Sequence, residues 1–198
     1  MNQKIKPILI PAIIIAIISA LVIIVYNMTY IDTSTVVTDK QLAAVTQIYG
    51  EGEYSVVPVK DYPDAIVDID KDGNRTCNIS GLTKVIRKSD GSLAFDCVVK
   101  GYKSGFDIMV GVKDGAVFGV AIVSVGEETP GLGTNTDNPD WLANFKNKTG
   151  EVTIVKNKPN PADNEVNAVT SATFSSKGVA KAVNIALGAY NAFGGDFK

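Results

Sequence analysis

Histidine is absent from this chain of 198 residues, and cysteine occurs only at Cys77 and Cys97. The missing imidazole excludes Ser-His-Asp and Cys-His catalysis, histidine-ligated zinc and histidine-ligated haem. Two thiols cannot by themselves hold a four-cysteine iron–sulfur cluster or a Cys₄ zinc site. The formal net charge of −2 gives no reason to expect nucleic acid as a partner. Any chemistry must therefore use hydroxyls, carboxylates, backbone amides or a cofactor.

An uncharged run of 20 residues, from Pro7 to Tyr26, follows Lys4 and Lys6. As a helix it is about 30 Å long, which matches the hydrocarbon core of a bilayer. A cleaved signal peptide is the competing interpretation, but its apolar region is normally shorter and ends at a small-residue cleavage site. We therefore predict a retained transmembrane helix. The two lysines predict a single-pass cell-membrane protein with a cytoplasmic N-terminus and an extracytoplasmic main domain.

A short helix is predicted after the anchor, because Thr38 and Gln41 have the spacing of a capping box and Gly50 ends the apolar pattern. Strand patterns separated by turn signals, among them Asp114-Gly115, predict antiparallel hairpins from about residue 54 to residue 125. The predicted divisions are a cytoplasmic start and anchor (1–31), a linker helix (32–52) and the extracytoplasmic domain (53–198).

Two helices are predicted to cover the sheet. Asn138 followed by Pro139 has the pattern of a helix cap with proline at the first helical position. The last helix is predicted from near Ser175 to about Phe193. The predicted fold class is α+β: one N-terminal transmembrane helix, then an antiparallel-sheet domain with a C-terminal helix.

The first motif that indicates chemistry is the glycine-rich segment from Gly126 to Gly133, which follows a strong strand pattern. Pro130-Gly131 fits the central positions of a type II turn, where glycine takes a positive φ. Such a turn presents backbone N–H groups and lets a ligand approach closely. An ordinary turn at the end of a strand is the alternative interpretation.

The second motif runs from Asn167 to Ser176 and has five hydroxyl residues in the seven positions 170–176. It leads directly into the predicted last helix. Free N–H groups and hydroxyls at a helix N-terminus favour an anion such as phosphate. An elaborate helix cap is the alternative. The Gly-x₄-Gly-Lys-Ser/Thr pattern of a phosphate-loop NTPase is not present.

In this order, behind an N-terminal anchor, the two motifs resemble the FMN-binding G subunit of the Rnf electron transport complex. The C subunit of the sodium-pumping NADH:quinone reductase shares both motifs. The resemblance implies that FMN is joined through its phosphate to Ser175 by a separate flavin transferase. The other cofactor-binding residues that it implies are Thr170, Ser171, Ala172, Thr173, Glu128, Thr129, Gly131, Leu132 and Gly133.

This sequence departs from the family pattern at three positions. Ser175 stands where threonine is usual, although either residue offers a hydroxyl for the same ester. Ser171 replaces a glycine, and Asn167 replaces an aspartate that the transferase is expected to read. Ser176 and Thr173 are the alternative acceptors.

The resemblance implies an electron-relay subunit without side-chain catalysis of its own. Its complex would couple electron transfer between ferredoxin and NAD⁺ to translocation of Na⁺ or H⁺. The implied partners are the other membrane and iron–sulfur subunits, the flavin transferase and the membrane. Two alternatives stay open: a C-type subunit of the sodium-pumping NADH:quinone reductase, and a membrane-anchored module that holds flavin noncovalently.

Three smaller features of the sequence are the cysteine pair, the single tryptophan and an acidic turn. Cys77 and Cys97 form either a disulfide or two free thiols. Trp141 is either a neighbour of the flavin ring or a residue of the core. Asp70 to Asn74 resembles a calcium loop, but Gly81 stands where the final glutamate is needed, so we predict a solvated turn.

Overall fold

The computed structural model describes residues 6–29 and 35–194. The chain divides into two compact units, residues 1–33 and residues 34–198. The first unit contains helix α1, Lys6–Thr29. The 18 residues Pro11–Met28 within it have a mean hydropathy of 2.4, and none of them is buried. The apolar N-terminal helix predicted from the sequence is thus confirmed, with the length and composition to cross a membrane.

The second unit is an α+β domain built from nine strands and three α-helices among the described residues, together with four short 3₁₀ helices. In chain order these are α2 (Asp39–Tyr49), β1 (Tyr54–Val57), β2 (Val67–Ile69), β3 (Arg75–Cys77), β4 (Leu82–Lys88), β5 (Leu93–Val99), β6 (Phe106–Lys113), β7 (Ala116–Ser124), α3 (Pro139–Leu142), β8 (Thr153–Val155), β9 (Glu165–Asn167) and α4 (Thr173–Phe193).

The main sheet has five strands in the order β1-β4-β5-β6-β7, and all neighbours are antiparallel. This confirms the predicted antiparallel sheet. β1 lies at one edge and ends immediately before Pro58, because proline has no N–H to donate to a neighbouring strand. The turn between β6 and β7 has positive φ at Asp114 (52°) and Gly115 (77°), as a tight hairpin requires.

Two small sheets lie outside the main sheet. β2 and β3 form an antiparallel hairpin around a turn in which Asp70 accepts hydrogen bonds from the backbone of Asp72 and Asn74. Among the described residues no group of three or more acidic, Cys or His side chains could hold a metal ion. β8 and β9 pair in parallel, which the sequence did not indicate.

The sheet is covered on both faces. The larger core lies between the sheet and α4, where Val179, Val183, Ala186 and Tyr190 form the buried stripe expected from their spacing. Helix α2 packs on the opposite face, where Val45 contacts a cluster that includes Met109 and Ala121. The sequence suggested only a connecting role for this helix.

The face under α2 contains polar side chains. The buried Gln41 side chain donates from Nε2 to Asp96 Oδ2 at 2.7 Å, and Lys84 Nζ donates to Gln41 Oε1 at 3.0 Å. Asp107 lies next to Asp96, and burial together with this second carboxyl raises the pKa of Asp107 to about 8. The capping box at Thr38 is present, with Gln41 as its third residue.

Both cysteines are free thiols. Cys97 is completely buried on the α4 side of the sheet, whereas Cys77 is half-buried. The sequence allowed either a disulfide or two free thiols, and the structure has two free thiols.

Candidate functional site

The two motifs meet at one hydrogen bond. Ser175 Oγ donates to Glu128 Oε2 at 2.6 Å, across 47 positions of sequence. Both side chains are buried, with 1% of Ser175 and 4% of Glu128 exposed. The other carboxylate oxygen, Oε1, accepts the backbone N–H of Lys103 at 2.9 Å. The fold therefore places the carboxylate of the first motif directly on the hydroxyl of the second.

Glycines leave the space that this carboxylate occupies. A Cβ at Gly101 would lie 2.4 Å from Glu128 Oε1, and a Cβ at Gly133 would lie 2.1 Å from Oε2 and 2.8 Å from Ser175 Oγ. Gly178 of α4 also packs closely on this segment, because its Cβ would be 3.1 Å from the Gly101 Cα. The last glycine of the first motif is thus explained by close approach of side chains rather than by backbone conformation.

The first motif contains the expected turn. The Leu132 N–H donates to the Thr129 carbonyl at 3.1 Å, and Gly131, the third residue of this turn, has φ of 74°. The N–H of Gly131 donates to Thr134 Oγ1 at 2.9 Å. Since the N–H groups of Gly131 and Leu132 both donate to neighbouring residues of the chain, they are not the free donors that the turn pattern suggested.

The second motif forms a similar turn. The Ala172 N–H donates to the Val169 carbonyl at 3.0 Å, and Ser171 in the third position has φ of 61°. This left-handed conformation favours glycine, so the serine at this position holds a strained backbone. The exposed Thr170 is the second residue of the turn.

Helix α4 begins at Thr173, two residues earlier than expected, so Ser175 is its third residue. The residue before the helix, Ala172, has no side-chain group to cap the first turn. The first N–H groups of any helix lack intrahelical acceptors, and their positive partial charge favours anions. The elaborate hydroxyl cap considered for this segment is not formed at Ala172.

Ser176 has a structural role. Its Oγ accepts the Val169 N–H at 3.0 Å and donates to the Ala172 carbonyl at 2.9 Å, and the side chain is completely buried. Ser175 and Ser176 are therefore adjacent in sequence but differ in environment, since only Ser175 lies at the cavity described next. Thr173 is half-buried.

The Ser175 cavity has a volume of about 390 Å³, within the range of about 300–1,000 Å³ that is usual for small-molecule sites. It is lined by Tyr102, Glu128, Thr129, Leu132, Gly133, Ser171, Ala172, Phe174 and Ser175. Seven of these were proposed from the sequence, whereas Thr170, Gly131 and Thr173 are outside the lining. Tyr102 and Phe174 were not proposed as site residues.

Three exposed apolar side chains stand around the Ser175 cavity. Tyr102 is 58% exposed, Leu132 is 44% exposed and Phe174 is 64% exposed. The rings of Tyr102 and Phe174 have centroids 6.3 Å apart and are tilted by 52°. The cavity thus combines a polar base at Ser175 with an aromatic and aliphatic rim, which suits a planar ring that carries a phosphate.

Trp141 and Asn167 lie outside this lining. The indole N–H of Trp141 donates to the Asn167 carbonyl at 2.8 Å, and its ring packs edge-on against Phe145. Trp141 packs against the core. The Asn167 side chain forms two hydrogen bonds with the backbone of Lys158, accepting at Oδ1 and donating from Nδ2. An aspartate at position 167 would lack that donor.

Comparison with known proteins matches residues 101–188 to the family model of the FMN-binding domain. The chain is 39% identical over 98 residues to the G subunit of the proton-translocating ferredoxin:NAD(+) oxidoreductase complex of Clostridium ljungdahlii. This match covers 48% of the chain and 51% of that protein, so the chain spans about half the length of this relative. The G subunit of the Na(+)-translocating ferredoxin:NAD(+) oxidoreductase complex of Acetobacterium woodii is 29% identical over 145 residues, covering 70% of this chain and 67% of that one.

The fold is also similar to a solved structure. The crystal structure of Shewanella oneidensis NqrC aligns with a TM-score of 0.51 and 21% identity, covering 83% of this chain and 76% of that chain. Every residue that lines the Ser175 cavity falls within the matched FMN-binding segment. Residues 101–188 thus match the model of the FMN-binding domain, and the chain is similar in sequence to the G subunits of ferredoxin:NAD⁺ oxidoreductase complexes.

Proposed function

We propose that this chain is an electron-relay subunit that carries FMN, joined through its phosphate to Ser175. It would act in a membrane complex that couples ferredoxin:NAD⁺ electron transfer to translocation of Na⁺ or H⁺. The observation that carries the proposal is the Ser175 cavity, where both motifs meet around one hydroxyl. FMN supplies the redox chemistry when it is bound. The side chains of the protein hold it, orient it and shield it.

The position of Ser175 supports a phosphoester at its Oγ. It is the third residue of α4, next to the uncapped first turn of a long helix. An esterified phosphate there is an anion beside the positive end of the helix dipole and beside free N–H groups. A covalent bond also keeps the cofactor with the protein, since it fixes the flavin within a short radius of its site.

The rim of the cavity supports a place for the isoalloxazine ring. Tyr102 and Phe174 present exposed aromatic faces, and Leu132 presents an exposed aliphatic one. Exposed large apolar groups that cluster at a cavity mark ligand-binding or interaction surfaces. We assign Tyr102, Leu132 and Phe174 to the ring, and Thr129 and Ser171, which also line the cavity, would contact the rest of the bound FMN.

The membrane placement is part of the same proposal. Helix α1 is the anchor, residues 1–31 are the cytoplasmic start and the span, residues 32–52 are the linker, and residues 53–198 are the extracytoplasmic flavin domain. The other membrane and iron–sulfur subunits of the complex are its partners, and a flavin transferase attaches the cofactor. Lys4 and Lys6 at the start of the span support this orientation.

The attachment is tested by co-expressing the full chain with a flavin transferase. After denaturation, a fluorescent protein band and a tryptic peptide ending at Lys177 that carries the mass of FMN less one water are expected. Ser175→Ala is expected to abolish both signals, and Ser175→Thr to keep them. Ser176→Ala is the matched control and is expected to keep the label. Loss of all colour on denaturation of the wild type would instead support noncovalent binding.

The orientation is tested with variants that add one accessible cysteine to a Cys77→Ser background, in which the remaining Cys97 is buried. Asp90→Cys, in the exposed turn between β4 and β5, is expected to react with a membrane-impermeant maleimide in intact cells. Asn2→Cys is expected to react only after lysis. The opposite pattern would invert the proposed topology.

A further inference from the structure

The buried carboxylate beside the attachment hydroxyl has no cationic partner among the described residues. Both ion pairs found there, Arg75–Asp64 and Lys158–Glu165, lie elsewhere in the domain. Glu128 is instead held by the Ser175 hydroxyl and the Lys103 N–H, one on each oxygen. A carboxylate buried without a cation costs stability. Such a group calls for an explanation beyond the fold.

The position of Glu128 explains why a carboxylate is buried there. Its Oε2 lies 2.6 Å from Ser175 Oγ and accepts the hydrogen bond that this hydroxyl donates. This is the distance and the direction that a general base needs toward the proton that it removes. From these contacts we infer that Glu128 is the catalytic base of the flavin attachment reaction, an inference that rests on the proposed function of Ser175.

The step balances as a phosphoryl-group transfer. The co-reactant is a flavin dinucleotide, in which the FMN phosphate is activated by an anhydride bond to adenylate. A bond forms between Ser175 Oγ and the FMN phosphorus, and the anhydride P–O bond breaks with its electron pair going to the leaving AMP. The Oγ proton passes to Glu128 Oε2. No oxidant or reductant is consumed, and the flavin transferase supplies the activated dinucleotide.

The surroundings fit this role. Gly101 and Gly133 leave the space that the Glu128 carboxylate needs beside Ser175, because a Cβ on either glycine would lie within 2.5 Å of one of its oxygens. The Lys103 N–H fixes Oε1, so that Oε2 remains directed at Ser175. Proton uptake by Glu128 also reduces the repulsion between the carboxylate and the phosphate that enters the same cavity.

The test measures the rate of attachment, not electron transfer. The full chain in detergent is mixed with saturating flavin transferase and FAD, and covalent label is followed by fluorescence in a denaturing gel and by the mass of the peptide ending at Lys177. Glu128→Gln keeps the length of the side chain but loses the base, so we expect a rate about 10²-fold or more lower. Glu127→Gln, in the exposed neighbouring carboxylate, is the matched control and is expected to react at the wild-type rate.

Two further measurements distinguish a catalytic base from a side chain that only fills the space beside Ser175. Glu128→Asp keeps the carboxylate but shortens the side chain, and it is expected to react faster than Glu128→Gln. The ratio of the Glu128→Gln rate to the wild-type rate is expected to rise between about pH 6 and about pH 9, as hydroxide replaces the missing base. Thermal unfolding of each variant shows whether the domain is intact.

The outcomes distinguish the two proposals. If the wild type acquires no label at Ser175, the proposed function fails. If the wild type is labelled and Glu128→Gln is labelled equally fast, only the role of Glu128 as a base fails. A third outcome would also overturn that role: the folded Glu128→Gln variant is labelled slowly but faster than Glu128→Asp, and its pH profile is that of the wild type. The shape of the side chain, and not its basicity, would then determine the rate of attachment.

Discussion

Gly133 lies so close to Glu128 that a Cβ at Gly133 would come within 2.1 Å of the carboxylate oxygen Oε2. Gly133→Ala must therefore displace Glu128 and break its hydrogen bond to Ser175. We expect the substitution to lower the free energy of unfolding by about 1–3 kcal/mol and to reduce flavin attachment. Urea unfolding and the denaturing-gel fluorescence assay measure the two effects.

Gly188→Ala in α4 is the control for that experiment. Gly188 is exposed, and a Cβ there would meet no atom within 4 Å. Alanine favours a helix over glycine by up to about 1 kcal/mol, so this variant is expected to be as stable as the wild type or more stable. A Gly133→Ala protein with unchanged stability and full labelling would contradict the packing described around Glu128.

Ser171 has a left-handed backbone with φ of 61°, and its side chain is exposed. Ser171→Gly removes the Cβ that makes this conformation costly. We expect it to raise the free energy of unfolding by about 1 kcal/mol while leaving the Ser175 cavity intact. Ser171→Ala keeps the Cβ and is expected to give no such gain. Equal stabilisation by both variants in urea unfolding would show that backbone strain is not the cause.

The pH dependence of stability is expected to depend on Asp107. Its pKa is about 8 in the folded domain, above the ordinary value of 3.8, because it is largely buried beside Asp96. The folded state therefore holds a proton that the unfolded chain releases, and stability falls as pH rises from about 4 to about 8. Asp107→Asn keeps a donor toward Asp96 at every pH. Its Tm is expected to exceed that of the wild type near pH 8 and to vary less with pH.

Asp114→Asn controls for the loss of one negative charge. Asp114 is exposed in the β6–β7 turn, and asparagine tolerates its positive φ. Its Tm is expected to follow the wild-type pH profile. A Tm for Asp107→Asn that falls with pH as steeply as that of the wild type would rule out Asp107 as the group responsible.

The two thiols are expected to react differently. Burial raises the pKa of the Cys97 thiol well above its ordinary value, and the side chain is inaccessible, whereas Cys77 is half-buried. A maleimide reagent is expected to label Cys77 alone in the native protein and both residues after denaturation. Cys77→Ser should abolish native labelling. Mass spectrometry counts the labels, and a Cys77–Cys97 disulfide would prevent labelling at both sites until reduction.

Local signals in the sequence predicted most of the main sheet and the turn of the first motif. Asp114-Gly115 and Pro130-Gly131 specify backbone conformations that few other residue pairs favour, and both positions have the expected positive φ at glycine. The buried stripe on α4 could be predicted because Val179, Val183 and Ala186 repeat at helical spacing. These features depend on residues close together in the chain.

Features that depend on distant contacts were not predictable in this way. The apolar pattern of α2 is the same whether the helix connects two segments or packs on a sheet. Its contact with Met109 could therefore not be predicted from the sequence. The start of α4 was placed two residues late because Ala172 gives no capping signal. Tyr102 and Phe174 carry no periodicity, and only the fold brings them to one cavity.

The proposed attachment residue belongs to helix α4, which is fixed along its length by the core. Ser175 is followed on α4 by a stripe of side chains that are wholly enclosed by the sheet, and Gly178 contacts the Gly101 segment. FMN joined at Ser175, as proposed, would gain no mobility from a flexible polypeptide segment, because Ser175 lies within a packed helix. Under the proposed function, an electron donor and an electron acceptor would each have to approach the Tyr102–Phe174 side of the domain, so the geometry of docking would set the distance for each electron transfer.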